Sequence, residues 1–103
     1  MPRMGRVILP HYPHHIVQRG HSRQVVFVEA EDYHRYLSTL REFKHEYGVQ
    51  VYAFCLMTNH VHLLLAPDEP EGIGKLMKRL AGRQTRNHNR LKGRSGTLWE
   101  GRY

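Results

Sequence analysis

Residues 49–66 read VQVYAFCLMTNHVHLLLA, and in this stretch two runs of β-branched, aromatic and aliphatic residues flank a short polar turn. The first run, Val49 to Leu56, is typical of a strand, and so is the second, His60 to Ala66. Two strands joined by so short a turn, 57–59, form an antiparallel hairpin. The stretch therefore predicts two neighbouring strands at the centre of the fold.

A helix is predicted on each side of this hairpin. The segment Glu31 to Tyr47 has acidic residues in its first turn and Gly48 after its end, which are the usual signals at helix termini. Pro67 and Pro70 close the hairpin and precede a second helix, Gly72 to Leu91. Apolar residues recur at intervals of three and four in both helices, namely Tyr33, Tyr36, Leu37, Leu40, Phe43 and Tyr47, then Ile73, Leu76, Met77 and Leu80.

The outer segments complete the pattern. Residues His14 to Arg19 predict a strand that ends at Gly20, and Val25 to Val28 is a short second extended run after a hairpin loop or bend at 20–23. A glycine-rich turn at 93–96 precedes a last strand, 97–103, which we expect to be incomplete. Setting aside the run at Val25, the order is strand, helix, strand, strand, helix, strand. That order predicts an α+β, ferredoxin-like (RRM-like) antiparallel sheet with both helices on one face and the other face open.

Length and charge limit the classes of function. The 103 residues fit one domain, 1–103, and 16 Lys and Arg against 9 Asp and Glu give a formal charge of +7. An excess of this size suits a polyanionic partner such as nucleic acid. A ribosomal protein, an RNA-binding module or a merely soluble surface would carry the same excess, so charge alone does not choose among them.

The single cysteine and the short apolar runs indicate the compartment. Cys55 excludes an internal disulfide and a multi-cysteine zinc site, and we expect it to be a small core residue. No apolar run approaches the roughly 18 residues that a membrane span needs. We expect a soluble, cytoplasmic protein without a membrane partner.

Two histidines in the second hairpin strand are the first candidate site. Strand alternation places His60 and His62 on one face, whereas Val61, Leu63 and Leu65 point to the other. Adjacent positions on one face are close enough for both imidazoles to reach one cation. A chance pairing among nine histidines remains open on this pattern alone.

Basic residues form the second candidate site. A run without any acidic residue extends from Lys75 to Arg94, and such a run favours phosphates over plain solvent. We assign DNA contacts to its members Lys75, Lys78, Arg79, Arg83, Arg86 and Arg90, and to the N-terminal Arg3, Arg6, Arg19 and Arg23. The histidines His11, His14 and His15 are expected to be structural or close to DNA, and not metal ligands.

Three segments carry a family resemblance. Residues 12–20, YPHHIVQRG, then 56–64, LMTNHVHLL, and finally 93–103, GRSGTLWEGRY, closely resemble the REP-associated tyrosine transposases, which belong to the single-tyrosine HUH transposases. The resemblance covers essentially the whole chain, with the motifs in the family's order. It implies that His60 and His62 bind a divalent metal ion, Mg²⁺ or Mn²⁺. It also implies that the partner is single-stranded DNA with REP-like hairpins, and it leaves a homodimer open.

The same resemblance implies a DNA transposase that cleaves and rejoins single strands through a tyrosine nucleophile. In the family that tyrosine lies on a helix following the segment that ends at Tyr103, so we do not expect Tyr103 to be the nucleophile. The chain is expected to be a truncated member, inactive on its own. The alternative is a non-catalytic nucleic-acid-binding module, whose open sheet face would present aromatic side chains for base stacking.

Overall fold

The computed structural model describes residues 7–93, 96 and 98–100. Its elements, in chain order, are strand β1 (His14–Arg19), a 3₁₀ turn (His21–Arg23), helix α1 (Ala30–Glu46), strands β2 (Val49–Leu56) and β3 (His60–Pro67), and helix α2 (Gly72–Lys92). The predictions for β1, β2, β3, α1 and α2 are confirmed, with boundaries that agree to within one residue. Neither described helix is long and apolar enough to cross a membrane.

The sheet is antiparallel, with the strand order β1-β3-β2. The histidine strand β3 is therefore central, and β1 and β2 flank it. Next to β1, the described part of the predicted last strand makes one antiparallel bridge, Gly20 with Trp99, and the Glu100 amide donates to the Arg19 carbonyl at 2.8 Å. The α+β prediction is thus confirmed. Residues 101–103 of the predicted last strand lie outside the described residues.

Both helices cover one face of the sheet, because one face of β3 is apolar. Val61, Leu63 and Leu65 are at most 1% exposed, which confirms their predicted burial. Full burial of side chains of this size contributes about 2 kcal/mol each. They join one core cluster with buried residues of α1 and α2, namely Tyr36, Leu40, Phe43, Ile73, Leu76, Met77 and Leu80.

The ends of α1 have identifiable local causes. The Asp32 carboxylate accepts hydrogen bonds from the amides of Val28 and Glu29, at 2.7 and 3.0 Å, which satisfies donors at the helix start. At the other end Gly48 has a φ of +62°, a left-handed conformation that lets the chain turn directly into β2. The Asp32 contacts thus fix the start of α1, and the conformation of Gly48 fixes where α1 ends and β2 begins.

The run Val25–Val28 is a loop, so the second extended run predicted there is wrong. The amides of Val26 and Phe27 both donate to the carbonyl of Thr58, at 2.7 and 3.1 Å, and both side chains are buried. Val26 and Phe27 thus fill the core without joining a strand ladder, whereas Val25 and Val28 are exposed. The predicted hairpin loop before them is a 3₁₀ turn, and a Cβ at Gly20 would overlap the Gln24 carbonyl.

Candidate functional site

The His60 and His62 side chains lie together on the open face of β3. Both are half-buried, and the intervening Val61 and the following Leu63 are buried under the helices. The ring centroids of the two histidines are 5.0 Å apart, with the planes at 77°. The alternation predicted from the sequence therefore brings the two imidazoles together.

His60 is oriented by its neighbour in the chain. Its Nδ1 lies 2.8 Å from the side-chain oxygen of Asn59. The turn that carries Asn59 is held from two sides, because the Gly20 amide donates to the Asn59 carbonyl and the Met57 amide donates to the His60 carbonyl, both at 2.8 Å. The sequence pattern had indicated only that Asn59 lies in the turn.

His62 contacts a third imidazole that sequence analysis did not place in the site. His15 Nε2 lies 3.0 Å from His62 Nδ1, and the rings are within 17° of parallel. Residues Ile16 and Gln18 of β1 are buried, so His15 projects to the open face. Its position next to the apolar Ile16 was a usable signal, but the pairing of β1 with β3 was needed to identify its partner.

The surroundings of His62 favour its neutral form. Partial burial lowers the pKa of His62, and the imidazoles of His60 and His15 and the charge of Arg19 lower it further. A neutral imidazole keeps the lone pair that a metal ligand requires. This environment therefore suits His62 to bind a cation near neutral pH.

Arg19 is the predicted basic residue that lies directly beside the imidazoles. It is the cross-strand partner of His60, and its side chain is exposed on the same face of the sheet. A guanidinium there can donate to a phosphate that approaches the histidines. Two other predicted cations, Arg3 and Arg6, lie outside the described residues.

Helix α2 carries its basic residues on the opposite side of the sheet from the imidazoles. Within it Arg79 and Arg83 are bound to α1, where Arg79 donates to the Tyr47 hydroxyl at 2.8 Å and Arg83 to the Glu42 carboxylate at 3.0 Å. Both guanidinium carbons also lie 4.6 Å from the centroid of the Phe43 ring. These two arginines thus join the helices to each other.

The remaining cations of α2 divide between its two ends. Lys75 and Lys78 are exposed near the start of the helix, where Gly72 lies against Tyr47 and Pro67. Arg86 and Arg90 are exposed near its end. There Asn89 donates to the Gly96 carbonyl at 3.0 Å, and the His21 amide donates to Leu98 at 2.9 Å. The end of α2 therefore reaches the end of the sheet at which His60 lies.

Four exposed arginines lie towards that end of the molecule, and we call them the basic end. They come from β1, the 3₁₀ turn and α2, and no ion pair joins any of them to an acidic group within the described part of the chain. The members of the basic end are Arg19, Arg23, Arg86 and Arg90. The fold thus brings some of the predicted DNA-binding residues towards the imidazoles and leaves Lys75 and Lys78 at the far end.

Cys55 is exposed, so its predicted place in the core is wrong. It pairs across the sheet with His62, which puts it on the open face, and its Sγ lies 3.6 Å from Met57 Sδ. The sequence pattern could not reveal this, because β2 is an edge strand whose open side has no covering layer. Within the described ranges, no group of three or more His, Cys, Asp or Glu side chains is arranged to hold a metal ion.

The described tyrosines lie away from the imidazoles. Tyr33, Tyr36 and Tyr47 belong to the helix side of the sheet, and burial raises the pKa of Tyr36 far above its ordinary value. Tyr12 precedes β1 at the end opposite His60, and Tyr52 lies at the irregular step in the pairing of β2. None of these five is placed to attack a phosphate bound at the histidines, and Tyr103 lies outside the described residues.

Comparisons with known proteins identify the family of this chain and show solved structures with a similar fold. The family model described as "Transposase IS200 like" matches residues 9–103. The fold is similar to that of a REP-associated tyrosine transposase bound to a REP hairpin, with 12% identity and a TM-score of 0.77 over 99% of this chain and 59% of that chain. It is also similar to a candidate transposase from Deinococcus radiodurans R1, with 24% identity and a TM-score of 0.63 over 87% of this chain and 68% of that one. A search of curated proteins found no match. The chain thus spans less than two thirds of the first of these solved structures.

Proposed function

Because this chain belongs to the family of IS200-like transposases, we propose that it binds single-stranded DNA at a divalent metal ion held by His60 and His62. The observation that carries this proposal is the pair of half-buried imidazoles on the open sheet face, with ring centroids 5.0 Å apart. Arg19 beside them is the group that would receive the DNA phosphate. The resemblance to REP-associated transposases supports hairpin-forming single strands as the substrate class.

The donor set fits a divalent transition metal. Two neutral imidazoles supply nitrogen ligands, which Mn²⁺ accepts more readily than Mg²⁺, an ion that prefers oxygen. Two protein ligands leave most coordination positions to water, to the phosphate or to a further protein group. We therefore expect weak binding of Mn²⁺ by this chain.

The chemistry divides between the ion and the chain. When bound, the ion supplies Lewis-acid polarisation of a phosphate oxygen. His60 and His62 hold it on the open face, and Arg19 donates hydrogen bonds to the same phosphate and orients it. In the family the attack comes from a tyrosine, which forms a 5′-phosphotyrosine link, and we assign that nucleophile to none of the described tyrosines. We thus propose cleavage and rejoining for the metal site acting together with a tyrosine nucleophile.

The basic end is the proposed path of the DNA strand away from the metal. Its four arginines lie at the end of the sheet that carries His60, whereas Arg79 and Arg83 are engaged with α1. Phosphate contacts of this kind supply affinity without reading sequence. Because Arg83 is already engaged with Glu42, the DNA contacts that we propose from this part of α2 are those of Arg86 and Arg90.

The open face argues against the RRM-like alternative. Its positions on β1 and β3, which alternate with buried residues, are His15, Val17 and Arg19, then His60, His62 and Leu64. No Phe, Tyr or Trp is among these positions of β1 and β3, although stacking platforms for bases depend on such rings, and the exposed rings of Tyr52 and Phe54 belong to the edge strand β2. A cytoplasmic location and self-association into a homodimer remain predictions.

Isothermal titration calorimetry with Mn²⁺ tests the metal site. We expect His60→Ala and His62→Ala each to abolish detectable binding, because one imidazole cannot hold the ion against water. His34→Ala and His45→Ala are matched controls, since both histidines are exposed on α1 and should leave binding unchanged. Binding that persists in both site variants would move the metal elsewhere.

A further inference from the structure

The two histidines of the proposed metal site have the same ring nitrogen engaged. His60 Nδ1 faces the Asn59 side-chain oxygen at 2.8 Å, and His62 Nδ1 faces His15 Nε2 at 3.0 Å. Among the described residues, no hydrogen bond engages the Nε2 atom of either ring. Both rings therefore have only Nε2 available for a ligand.

We propose that Asn59 and His15 are positioning residues that hold His60 and His62 in the Nδ1–H tautomer, so that both rings present the Nε2 lone pair to the ion. A neutral imidazole has one lone pair, and its location is set by the hydrogen bond at the other nitrogen. The role in metal binding rests on the proposed function. The tautomers themselves are a property of the metal-free protein.

The contact of Asn59 determines the state of His60. A side-chain carbonyl oxygen can only accept, so His60 Nδ1 must carry the hydrogen and Nε2 must carry the lone pair. The oxygen is held in place because the backbone of Asn59 accepts from the Gly20 amide at 2.8 Å, and the carbonyl of Thr58 accepts from two further amides. The turn before β3 thus sets the orientation of the first ligand.

The contact of His15 limits the state of His62, because one of the two facing ring nitrogens must carry the hydrogen. The two ring centroids are 5.2 Å apart, which is the N···N distance of 3.0 Å plus about one ring diameter, so these nearly parallel rings meet edge to edge and not face to face. An edge-to-edge hydrogen bond fixes the plane of the His62 ring. We assign this hydrogen to His62 Nδ1, so that His15 Nε2 accepts and the hydrogen of His15 lies on its own Nδ1. The reverse assignment would place the hydrogen of His62 on Nε2, the atom that the proposal needs for the ion.

His15 acts through His62 and not as a ligand itself. Its Nε2 is already committed to His62, and its cross-strand partner is Leu64, two residues along β3 from His62 and four from His60. No three donors of the His, Cys, Asp and Glu types converge in the described segments. Partners of this kind around metal ligands typically change metal affinity by about 10- to 100-fold when they are removed.

Long-range ¹H–¹⁵N NMR on the metal-free protein tests the tautomers directly, at a pH well above the ordinary imidazole pKa of about 6.5. We expect Nδ1–H at both His60 and His62 in the wild type. His15→Phe removes the acceptor and should move His62 towards the Nε2–H form without changing His60. His15→Gln keeps an acceptor at the same reach and should restore Nδ1–H. His34→Phe makes the same change on exposed α1 and should alter neither ring.

Mn²⁺ titration of the same variants links the tautomer to binding. His15→Phe should weaken binding by about tenfold or more, and His15→Gln should recover most of that loss. An Nε2–H signal for His62 in the wild type, or a His62 tautomer indifferent to His15→Phe, would overturn the positioning role. Failure of the wild type to bind Mn²⁺ would instead overturn the proposed function, and the metal-free spectra separate the two failures.

Discussion

Removing two arginines from the basic end should weaken DNA binding in a manner that depends on salt. In the double variant Arg86→Ala/Arg90→Ala both side chains are exposed, and neither takes part in an ion pair among the described residues. Surface substitutions of this kind usually change stability by less than about 0.5 kcal/mol. An effect on binding can therefore be attributed to the lost charges and not to unfolding.

The expected magnitude follows from counterion release. Each phosphate neutralised on a single strand contributes about 0.7 to the slope of log affinity against log salt, so loss of two contacts should reduce the slope by about 1.4. Between 50 and 200 mM salt, the wild type should therefore lose roughly sevenfold more affinity than the variant. Fluorescence anisotropy of a labelled hairpin-bearing single strand, over a series of NaCl concentrations, measures both slopes.

A matched variant on the same helix decides whether position matters. Lys75→Ala/Lys78→Ala removes the same charge from exposed residues at the opposite end of α2. If the DNA strand follows the basic end, Lys75→Ala/Lys78→Ala should reduce the slope of log affinity against log salt by less than half as much as Arg86→Ala/Arg90→Ala does. Equal reductions in the two double variants would refute the proposed path, because they would indicate only a general effect of net charge.

Two further predictions concern the helix start and the covalent step. Burial alone would raise the pKa of Asp32, but hydrogen bonds from Glu29, Val28 and Arg35 outweigh it, so the pKa is lowered in the folded state. Its stabilising effect is present above the unfolded pKa of about 3.9 and is lost as the pH falls through the folded value. Asp32→Ala should cost about 1–2 kcal/mol in urea unfolding at neutral pH, and a difference from wild type that persists undiminished at about pH 3 would contradict this cause. For catalysis, we expect no covalent adduct between this chain and single-stranded DNA with Mn²⁺ on a denaturing gel, and an adduct abolished by Tyr103→Phe would show that Tyr103 is the nucleophile after all.

Local sequence signals were sufficient for most of the elements. A period of two in 60–66 and a period of three to four in 31–47 are consequences of backbone geometry, and the β-branched pair Ile16 and Val17 ahead of Gly20 is a local strand signal, so these patterns predict strands and helices without knowledge of neighbours. The same period placed His60 and His62 on one face. The signal failed at Val25–Val28, where β-branched residues had no strand to pair with and the amides of Val26 and Phe27 bond to Thr58 instead.

The pair of candidate ligands could be predicted from strand alternation, whereas the groups around them depend on how distant segments pack. His15 and His62 are 47 residues apart, and their contact depends on the pairing of β1 with β3. The position of Cys55 depends on β2 being an edge strand, and the engagement of Arg83 depends on the packing of α2 against α1. Periodicity tells which face a side chain occupies. It cannot tell which distant segment lies opposite, because strand order and helix packing are set by the burial of the whole core.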